Sequence, residues 1–560
     1  MSLRRSIACL TAIAAMSACT TAPAPVGPSP AATFSFNGAR MSEDIRMLSS
    51  DEFEGRGPAT PGETKTIAYL TRQMAAAGLQ PGGAVVDGQR SWTQPVPLLR
   101  SAFVADPQVA LNAASGLTAL VQGTDIAVRA PTNGDKAVDL TKTPLVFVGY
   151  GVKAPERGWD DFKGVDLKGK IMVVLVNDPD FDGGEGQFGG KAMTYYGRWT
   201  YKYEEGARQG AAGVLIVHET APAAYGWATV KNSNTNAMFD IVRKDPRAEH
   251  PLVEGWMTRE TAQKMMAASG LDLDTLKAAA RRKDFRPVAL SPTMSIRGQA
   301  QTDVINSANV VGILPGTTHP DETVIYTAHW DHLGVGLPDA RGDRIYNGAI
   351  DNGTGLANLL EQARAFAAAP RTERSIVFMA VTAEEKGLLG SEYYAANPLY
   401  PLALTAGMIN TDVMSVIGAA RDFSVRGNQQ FGLLDMLVEE GAKVGRRFTP
   451  DAHPETGGFY RSDHFTMAKA GVPALSLTPG QDLVDGGVAR SEAAGKDYIT
   501  TKYHQPADEW SADWDLSGMV DDAKLLLRLG MRLANSRDWP NWSQDSEFRA
   551  ARDRTAAQRR

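Results

Sequence analysis

The chain has 560 residues, too many for one domain of about 150 residues. It is 43% hydrophobic and 22% charged, which excludes wholesale disorder, and its net charge of −6 argues against nucleic acid as the main partner. Both cysteines, Cys9 and Cys19, lie at the N-terminus, which excludes a disulfide scaffold or a cysteine zinc site further along the chain.

The N-terminus has the pattern of an export signal. Arg4 and Arg5 precede the short apolar stretch 6–18, which is too short to span a membrane. The stretch ends in the letters MSAC, at residues 16–19, which resemble a bacterial lipobox, in which the cysteine is lipidated. We therefore predict a signal peptide at 1–18, lipidation of Cys19, a Pro/Ala-rich tether at 19–38, and a periplasmic lipoprotein. Cleavage without lipidation, giving a soluble periplasmic or secreted protein, stays open, and so does a cytosolic chain with a frayed N-terminus.

The part of the chain that follows the tether contains both helical and β-type sequence patterns. Apolar residues at helical spacing predict a helix over Gly62–Gly78. Three short β-type runs then follow at Leu145–Val148, Ile171–Val176 and Val214–Val217, with a helix over Tyr201–Gly210 between the last two. These elements predict a small α/β region that extends to about residue 290.

Buried strands alternate with helices from residue 308 onward. This order predicts a mostly parallel sheet with helices on both faces. The predicted strands are Asn309–Leu314, Thr323–Ala328, Ser375–Val381, Gly407–Asn410 and Ala474–Leu477, and the predicted helices are 353–368, 387–396, 430–444 and 515–535. The charged, Ala-rich end Arg549–Arg560 is expected to fray.

Metal-binding residue types follow these strands repeatedly. The carboxyl ends of parallel strands meet at one edge of a sheet, where ligands bind. Imidazole and carboxylate without thiolate suit zinc, and two hydrolytic zinc ions need a shared carboxylate. The candidates are His329, Asp331, Asp351, Glu384, Glu385, Asp412 and, far along the chain, His504.

Each candidate also has an ordinary explanation. An acidic pair such as Glu384–Glu385 is usually a solvated surface feature, and a lone histidine is usually structural. Five segments with such residues in one predicted domain nevertheless indicate a single metal site. Asp331 lies two residues beyond His329, so it could fix the tautomer of that imidazole.

Several segments resemble the co-catalytic di-zinc exopeptidases, the family of bacterial leucyl aminopeptidases and glutamate carboxypeptidase (metallopeptidase family twenty-eight). They read AHWDHLG, NGAIDNGTG, AEEKGLLGS, NTDVMS, YRSDHF and YHQPADEW. The stretches VDLKGKIMVVLV and KYEEGARQGAAGVLIVHE resemble a protease-associated domain. The resemblance implies a zinc exopeptidase fold in two segments, 39–119 and 291–540, with a smaller β-rich α/β domain inserted at 120–290 and a charged tail at 541–560.

The resemblance also implies two zinc ions per chain. Asp351 would bridge them, His329 and Asp412 would complete one site, and Glu385 and His504 would complete the other. All five positions keep the ligand types of the family, which argues against a non-catalytic member.

Other roles follow from the same resemblance. Glu384 would be the general base, taking a proton from the attacking water and giving it to the leaving amine. Asp331 would orient His329. The peptide bond between Asp351 and Asn352 would be cis.

A later segment is predicted to line the substrate pocket. Its residues are Tyr460, Arg461, Ser462, Asp463 and His464. Tyr460 or Arg461 could bind a substrate terminus or donate to an oxyanion. A loop held by polar contacts is an equally good interpretation. His332 is expected either behind the metal site or in solvent.

The predicted function is zinc-dependent removal of N-terminal residues from peptides. A carboxypeptidase or dipeptidase of the same family stays open, because Arg461 or Arg426 could bind a substrate carboxylate. Glutaminyl cyclase and a non-catalytic surface-binding module are further alternatives. The expected partners are peptide substrates, with no nucleic acid, and with a membrane only through the lipid anchor. The oligomeric state is left open.

Overall fold

The computed structural model describes residues 34–559. The predicted signal peptide, Cys19 and most of the predicted tether lie outside this range. Within the described residues, no helix combines the length and the apolar character needed to cross a membrane.

A mixed sheet forms the centre of the molecule. The strands His319–His329, Arg374–Val381, Thr405–Thr411 and Ala474–Thr478 pair in parallel. Val288–Leu314 closes one side and Asp422–Val425 the other, both antiparallel. Every residue of Arg374–Val381 and Thr405–Thr411 is buried. This continuous burial is expected of strands covered on both faces, and it confirms the predicted mostly parallel sheet.

Helices cover both faces of this sheet. Successive residues of each strand face opposite hydrophobic cores. Tyr326 and Phe378, on neighbouring strands, face one core, and Ile325 and Val377 face the other core. Four predicted helices are confirmed within two residues at each end, namely Thr354–Ala368, Leu389–Ala396, Gly432–Lys443 and Ser517–Ala534. The others in this part are Gly38–Leu48, Pro61–Ala76, His464–Lys469 and Gly487–Thr501.

The middle of the chain has a hydrophobic core of its own. One buried cluster there contains only residues between 109 and 296. Its parallel strands are Ala137–Phe147, Ile171–Leu175, Gly213–His218 and Val253–Thr258. Further elements are the strands Gln108–Ala113, Gly116–Leu120, Ile126–Val128 and Met238–Ile241 and the helices Trp199–Arg208, Trp227–Asn234, Arg259–Ala267 and Leu273–Ala280. Its assignment as an inserted protease-associated domain, and its exact boundaries, stay predictions.

One long strand joins the two parts. Val288–Leu314 pairs with Ala137–Phe147 near its start, with Thr93–Phe103 in its middle and with Arg374–Val381 at its end. The predicted strand Asn309–Leu314 is therefore only its last portion. The predicted domain boundary at 290/291 falls inside this strand.

The charged C-terminal end is ordered as far as residue 559, which corrects the expected fraying of this end of the chain. A helix covers Arg549–Asp553, and Arg552 is only 2% exposed. Phe548 stacks on Phe459 with ring centroids 5.8 Å apart. Because these side chains bury apolar surface against the main core, the charged residues around them are held in place.

Candidate metal centre

Three parallel strands deliver most of the candidate ligands to one edge of the sheet. His329 is the last residue of its strand, Asp412 directly follows Thr405–Thr411, and Glu384 and Glu385 follow Arg374–Val381. The sheet topology therefore brings these four residues together, as expected for carboxyl ends of parallel strands.

Asp351 lies in the turn before the helix Thr354–Ala368. Its peptide bond to Asn352 is cis, as the resemblance implies. Gly348 has a φ of +57°, and a Cβ there would lie 2.2 Å from the Asp351 carbonyl oxygen, so only glycine fits this turn. The buried carboxylate of Asp508 accepts hydrogen bonds from the backbone N–H groups of Ile350 and Asp351. The turn thus holds the Asp351 side chain towards the strand ends.

The five predicted ligands converge around Asp351. One Asp351 oxygen lies 3.3 Å from His329 Nε2, and the other lies 3.4 Å from His504 Nε2. His329 Nε2 is 3.5 Å from an Asp412 oxygen, and His504 Nε2 is 3.1 Å from a Glu385 oxygen. Atoms about 2.0–2.1 Å from a tetrahedral zinc ion are about 3.3–3.4 Å apart, so the spacing and the donor types both fit zinc.

Glu384 lies beside this cluster, and its carboxylate has no hydrogen bond from the described residues. One oxygen is close enough to His329 and Glu385 to share a cation with them. Burial raises the pKa of Glu384 well above its ordinary value, with the nearby His329 opposing the rise. A carboxylate without a hydrogen-bond donor beside the ligand cluster suits a group that accepts and releases protons.

Asp331 contacts the site differently from the expectation. His329 Nδ1 lies 3.1 Å from the backbone carbonyl oxygen of Asp331 and 3.9 Å from its carboxylate. The carboxylate instead accepts the backbone N–H groups of Glu384 and Glu385, at 3.0 and 3.3 Å. The backbone carbonyl of Asp331 is therefore the nearer partner of the His329 imidazole. The carboxylate of Asp331 instead holds the backbone of Glu384 and Glu385 in place.

His332 is buried beside the centre, which decides between the two sequence interpretations. It is 0% exposed, and its Nδ1 lies 2.7 Å from a Glu385 oxygen. Its nitrogen can also share a cation with Asp351 and Glu385. The adjacency of His332 to the ligand loop was the only sequence signal for this contact.

Most of the predicted pocket segment is engaged within the protein. The Tyr460 hydroxyl donates to Glu547, Ser462 accepts from Asn410, and Asp463 accepts from Ser391. His464 is fully buried, and burial lowers its pKa to about 3. Arg461 and His464 differ from the others, because Nε and Nη2 of Arg461 and both ring nitrogens of His464 are buried without a hydrogen-bond partner. A substrate role for this segment stays a prediction.

Arg56 is a buried residue that the sequence interpretation missed. Its guanidinium donates to the backbone carbonyl oxygens of Trp330 at 2.9 Å and Gly348 at 2.8 Å, and also to those of Leu48 and Asn347 at 2.7 Å. It therefore ties together the loops that carry His329 and Asp351.

We expect Arg56→Leu to lower the free energy of unfolding by about 3–5 kcal/mol, because four buried carbonyl groups lose their donor. Urea unfolding of the purified protein measures the change. Arg46→Leu is the control, since Arg46 is half-exposed and pairs only with Glu43 on its own helix. Equal stabilities of the two variants would contradict the structural role of Arg56.

Comparison with known proteins identifies the segment that carries the centre. Residues 309–527 match the profile of Peptidase family M28. This segment belongs to peptidase family M28. The M28 segment contains all five predicted metal ligands and Glu384, whereas the core between residues 109 and 296 lies outside it.

Curated relatives match a short part of this chain and cover little of their own length. "Probable zinc metalloprotease" of Pyrenophora teres f. teres is 36% identical over 110 residues, which is 20% of this chain and 23% of the relative. "Aminopeptidase YwaD" of Bacillus subtilis is 28% identical over 176 residues, 31% of each protein. Among solved structures, the aminopeptidase from Aneurinibacillus sp. strain AM-1 is 18% identical, covers 90% of this chain and 95% of that one, and has a TM-score of 0.48.

Proposed function

We propose that the protein is a zinc-dependent exopeptidase, and specifically an aminopeptidase that binds two zinc ions. The observation that carries the proposal is the spacing of 3.1–3.5 Å between the ligand atoms on both sides of Asp351. Three of the matched relatives are named aminopeptidases. The carboxylate of Glu384 lies beside the ligand cluster and has no hydrogen bond from the described residues, which supports a hydrolytic function over metal storage.

The roles of the residues follow from their positions. Zinc, when bound, supplies a Lewis acid that polarises a carbonyl and lowers the pKa of water. Asp351 would be shared between the ions, with His329 and Asp412 on one side and Glu385 and His504 on the other.

Proton transfer is assigned to Glu384. Its carboxylate would take a proton from the attacking water and deliver it to the nitrogen of the leaving amine. Asp331 serves this step by holding the backbone N–H group of Glu384, which limits where the carboxylate can move.

A panel of peptides with free or blocked ends tests the direction of hydrolysis. We expect the zinc-loaded protein to cleave peptides with a free N-terminus and to leave N-acetylated peptides intact, as measured by chromatography of the released amino acids. The same panel with amidated C-termini is the control for a carboxypeptidase. Cleavage of the acetylated peptides from the C-terminus would overturn the aminopeptidase assignment in favour of a carboxypeptidase.

We further propose that the protein is exported and attached to a membrane through lipidated Cys19. The lipobox-like letters MSAC support this proposal. Cys19→Ser is expected to move the protein from the membrane fraction to the soluble fraction, as followed by fractionation of expressing cells. A Cys9→Ser variant is the control, and continued membrane attachment of Cys19→Ser would refute the anchor.

A further inference from the structure

His332 is a buried histidine beside the metal centre, outside the set of five proposed ligands. Its side chain is 0% exposed, and its Nδ1 lies 2.7 Å from one oxygen of Glu385. Its Nε2 is also buried and has no hydrogen-bond partner in the part of the chain that the structure describes. The contact with Glu385 is therefore the one side-chain hydrogen bond that His332 makes within residues 34–559.

The contact is a hydrogen bond that His332 donates. A carboxylate that binds zinc is ionised and can only accept hydrogen bonds, so the proton between the two groups belongs to Nδ1. The distance of 2.7 Å lies in the range of charge-assisted hydrogen bonds, about 2.7–2.9 Å. Two atoms bound to one tetrahedral zinc ion are about 3.3–3.4 Å apart, so the spacing favours a hydrogen bond over zinc ligation through Nδ1.

The two oxygens of Glu385 have different partners. The oxygen that accepts from His332 is Oε1, whereas Oε2 lies 3.1 Å from Nε2 of His504. The backbone N–H group of Glu385 donates to the carboxylate of Asp331 at 3.3 Å. Glu385 is thus fixed at its backbone and at one oxygen, and its other oxygen faces the imidazole of His504.

The ring of His332 is itself confined by its neighbours. A Cβ added at Gly348 would lie 2.6 Å from two carbon atoms of the His332 ring, so the ring fits there only because glycine has no Cβ. The backbone N–H group of His332 donates to the backbone carbonyl oxygen of Arg56 at 3.4 Å. The rings of His332 and His504 pack edge to face, with centroids 5.7 Å apart. A ring confined in this way presents its Nδ1 to Glu385 in one direction.

The two sides of the metal centre differ in how deeply their ligands are buried. The side chains of His329 and Asp412 are 1% and 9% exposed, whereas that of His504 is 36% exposed. His504 also follows the helix Gly487–Thr501, which has no buried residue. Because packing does little to hold His504, the fixed oxygen of Glu385 is the rigid partner on this side of the centre.

We propose that His332 is a positioning residue for the zinc site formed by Glu385 and His504. By holding Oε1, it leaves Oε2 as the single oxygen of Glu385 that binds the ion, which keeps a coordination position open for water or substrate. His332 acts through Glu385 and makes no bond to the ion. This inference rests on the proposed two-zinc peptidase function and adds one residue to its machinery.

Three substitutions test this role, with zinc affinity as the measured quantity. His332→Gln and His332→Leu remove the donor from the position of Nδ1, whereas His332→Asn keeps an N–H group at the same number of bonds from Cα. We expect the Gln and Leu variants to bind the second zinc ion about 10- to 100-fold more weakly, and the Asn variant to recover most of the affinity. Titration of the metal-free protein with zinc against a competing chelator measures these affinities.

The comparison of the Asn and Gln variants decides the proposal. Equal zinc affinity of the two overturns it, whether both bind as the wild type does or both have lost one ion, as variants of a direct ligand would. Circular dichroism checks folding, and this comparison suffices if the Leu variant does not fold. His453→Gln is the matched control and should bind zinc as the wild type does, since His453 is exposed and its Nδ1 lies 3.2 Å from Glu455.

A second measurement tests whether the effect is confined to one side of the centre. In the His504→Ala background, the ion held by His329 and Asp412 is expected to remain. Adding His332→Gln to this background should change the affinity of that ion by no more than about twofold. A further loss of 10-fold or more would overturn the assignment of His332 to the site formed by Glu385 and His504.

These measurements need no turnover, so the two proposals fail separately. A wild-type protein that binds zinc but hydrolyses no peptide would refute the peptidase function and leave the role of His332 intact. Peptide hydrolysis by the wild type, together with equal zinc affinity of the Asn and Gln variants, would refute the role of His332 and leave the peptidase function standing.

Discussion

Replacing Glu384 with glutamine is expected to lower kcat by about 10²- to 10⁴-fold while zinc stays bound. The reason is that glutamine keeps the size of the side chain and loses the ability to accept a proton. Glu384 has a free carboxylate beside His329, and burial raises its pKa well above the ordinary value. Steady-state hydrolysis of a peptide with a free N-terminus, with metal content measured on the same sample, checks both parts.

The control for this variant is Glu439→Gln, which changes an exposed glutamate on the helix Gly432–Lys443. It should leave kcat and the zinc content unchanged. If Glu384→Gln kept the turnover of the wild type, the proposal that this residue transfers a proton would be refuted. A loss of turnover accompanied by loss of zinc would instead make Glu384 a metal ligand.

Metal analysis should find two zinc ions per chain, and removing them with a chelator should abolish hydrolysis until zinc is added back. Asp351→Asn is expected to release zinc from both sites, because the two oxygens of Asp351 face His329 and His504 separately. His504→Ala should release one ion only, since it contacts Asp351 and Glu385 on one side of the centre. Atomic emission measured on dialysed protein gives these stoichiometries.

His319→Ala is the matched control for metal loss, because His319 begins the strand that His329 ends. It should retain both ions. A wild-type content of one zinc ion per chain would contradict the two-ion proposal and favour a single-metal alternative such as a glutaminyl cyclase. If Asp351→Asn still bound two ions, Asp351 would not be the shared ligand.

Much of the central sheet could be predicted because its signals are local. Runs such as Ile376–Val381 are apolar throughout, as is expected of a strand buried on both faces. The helix Gly487–Thr501, which precedes His504, was missed because it has no buried residue and therefore no apolar stripe to reveal it. The order at Arg549–Asp553 was missed because its anchor, Phe548, packs against a residue about ninety positions away.

The sequence by itself supplied the candidate metal ligands, because strand ends and the glycine-rich turn around Asp351 are readable from neighbouring residues, and the family resemblance implied the set of five that would hold two ions. Only the tertiary structure decided that Arg56 joins the ligand loops, and that the carboxylate of Asp331 accepts the backbone N–H groups of Glu384 and Glu385. The physical reason is that the partners of a buried charge are chosen by packing, and packing joins residues whose distance along the chain carries no local pattern.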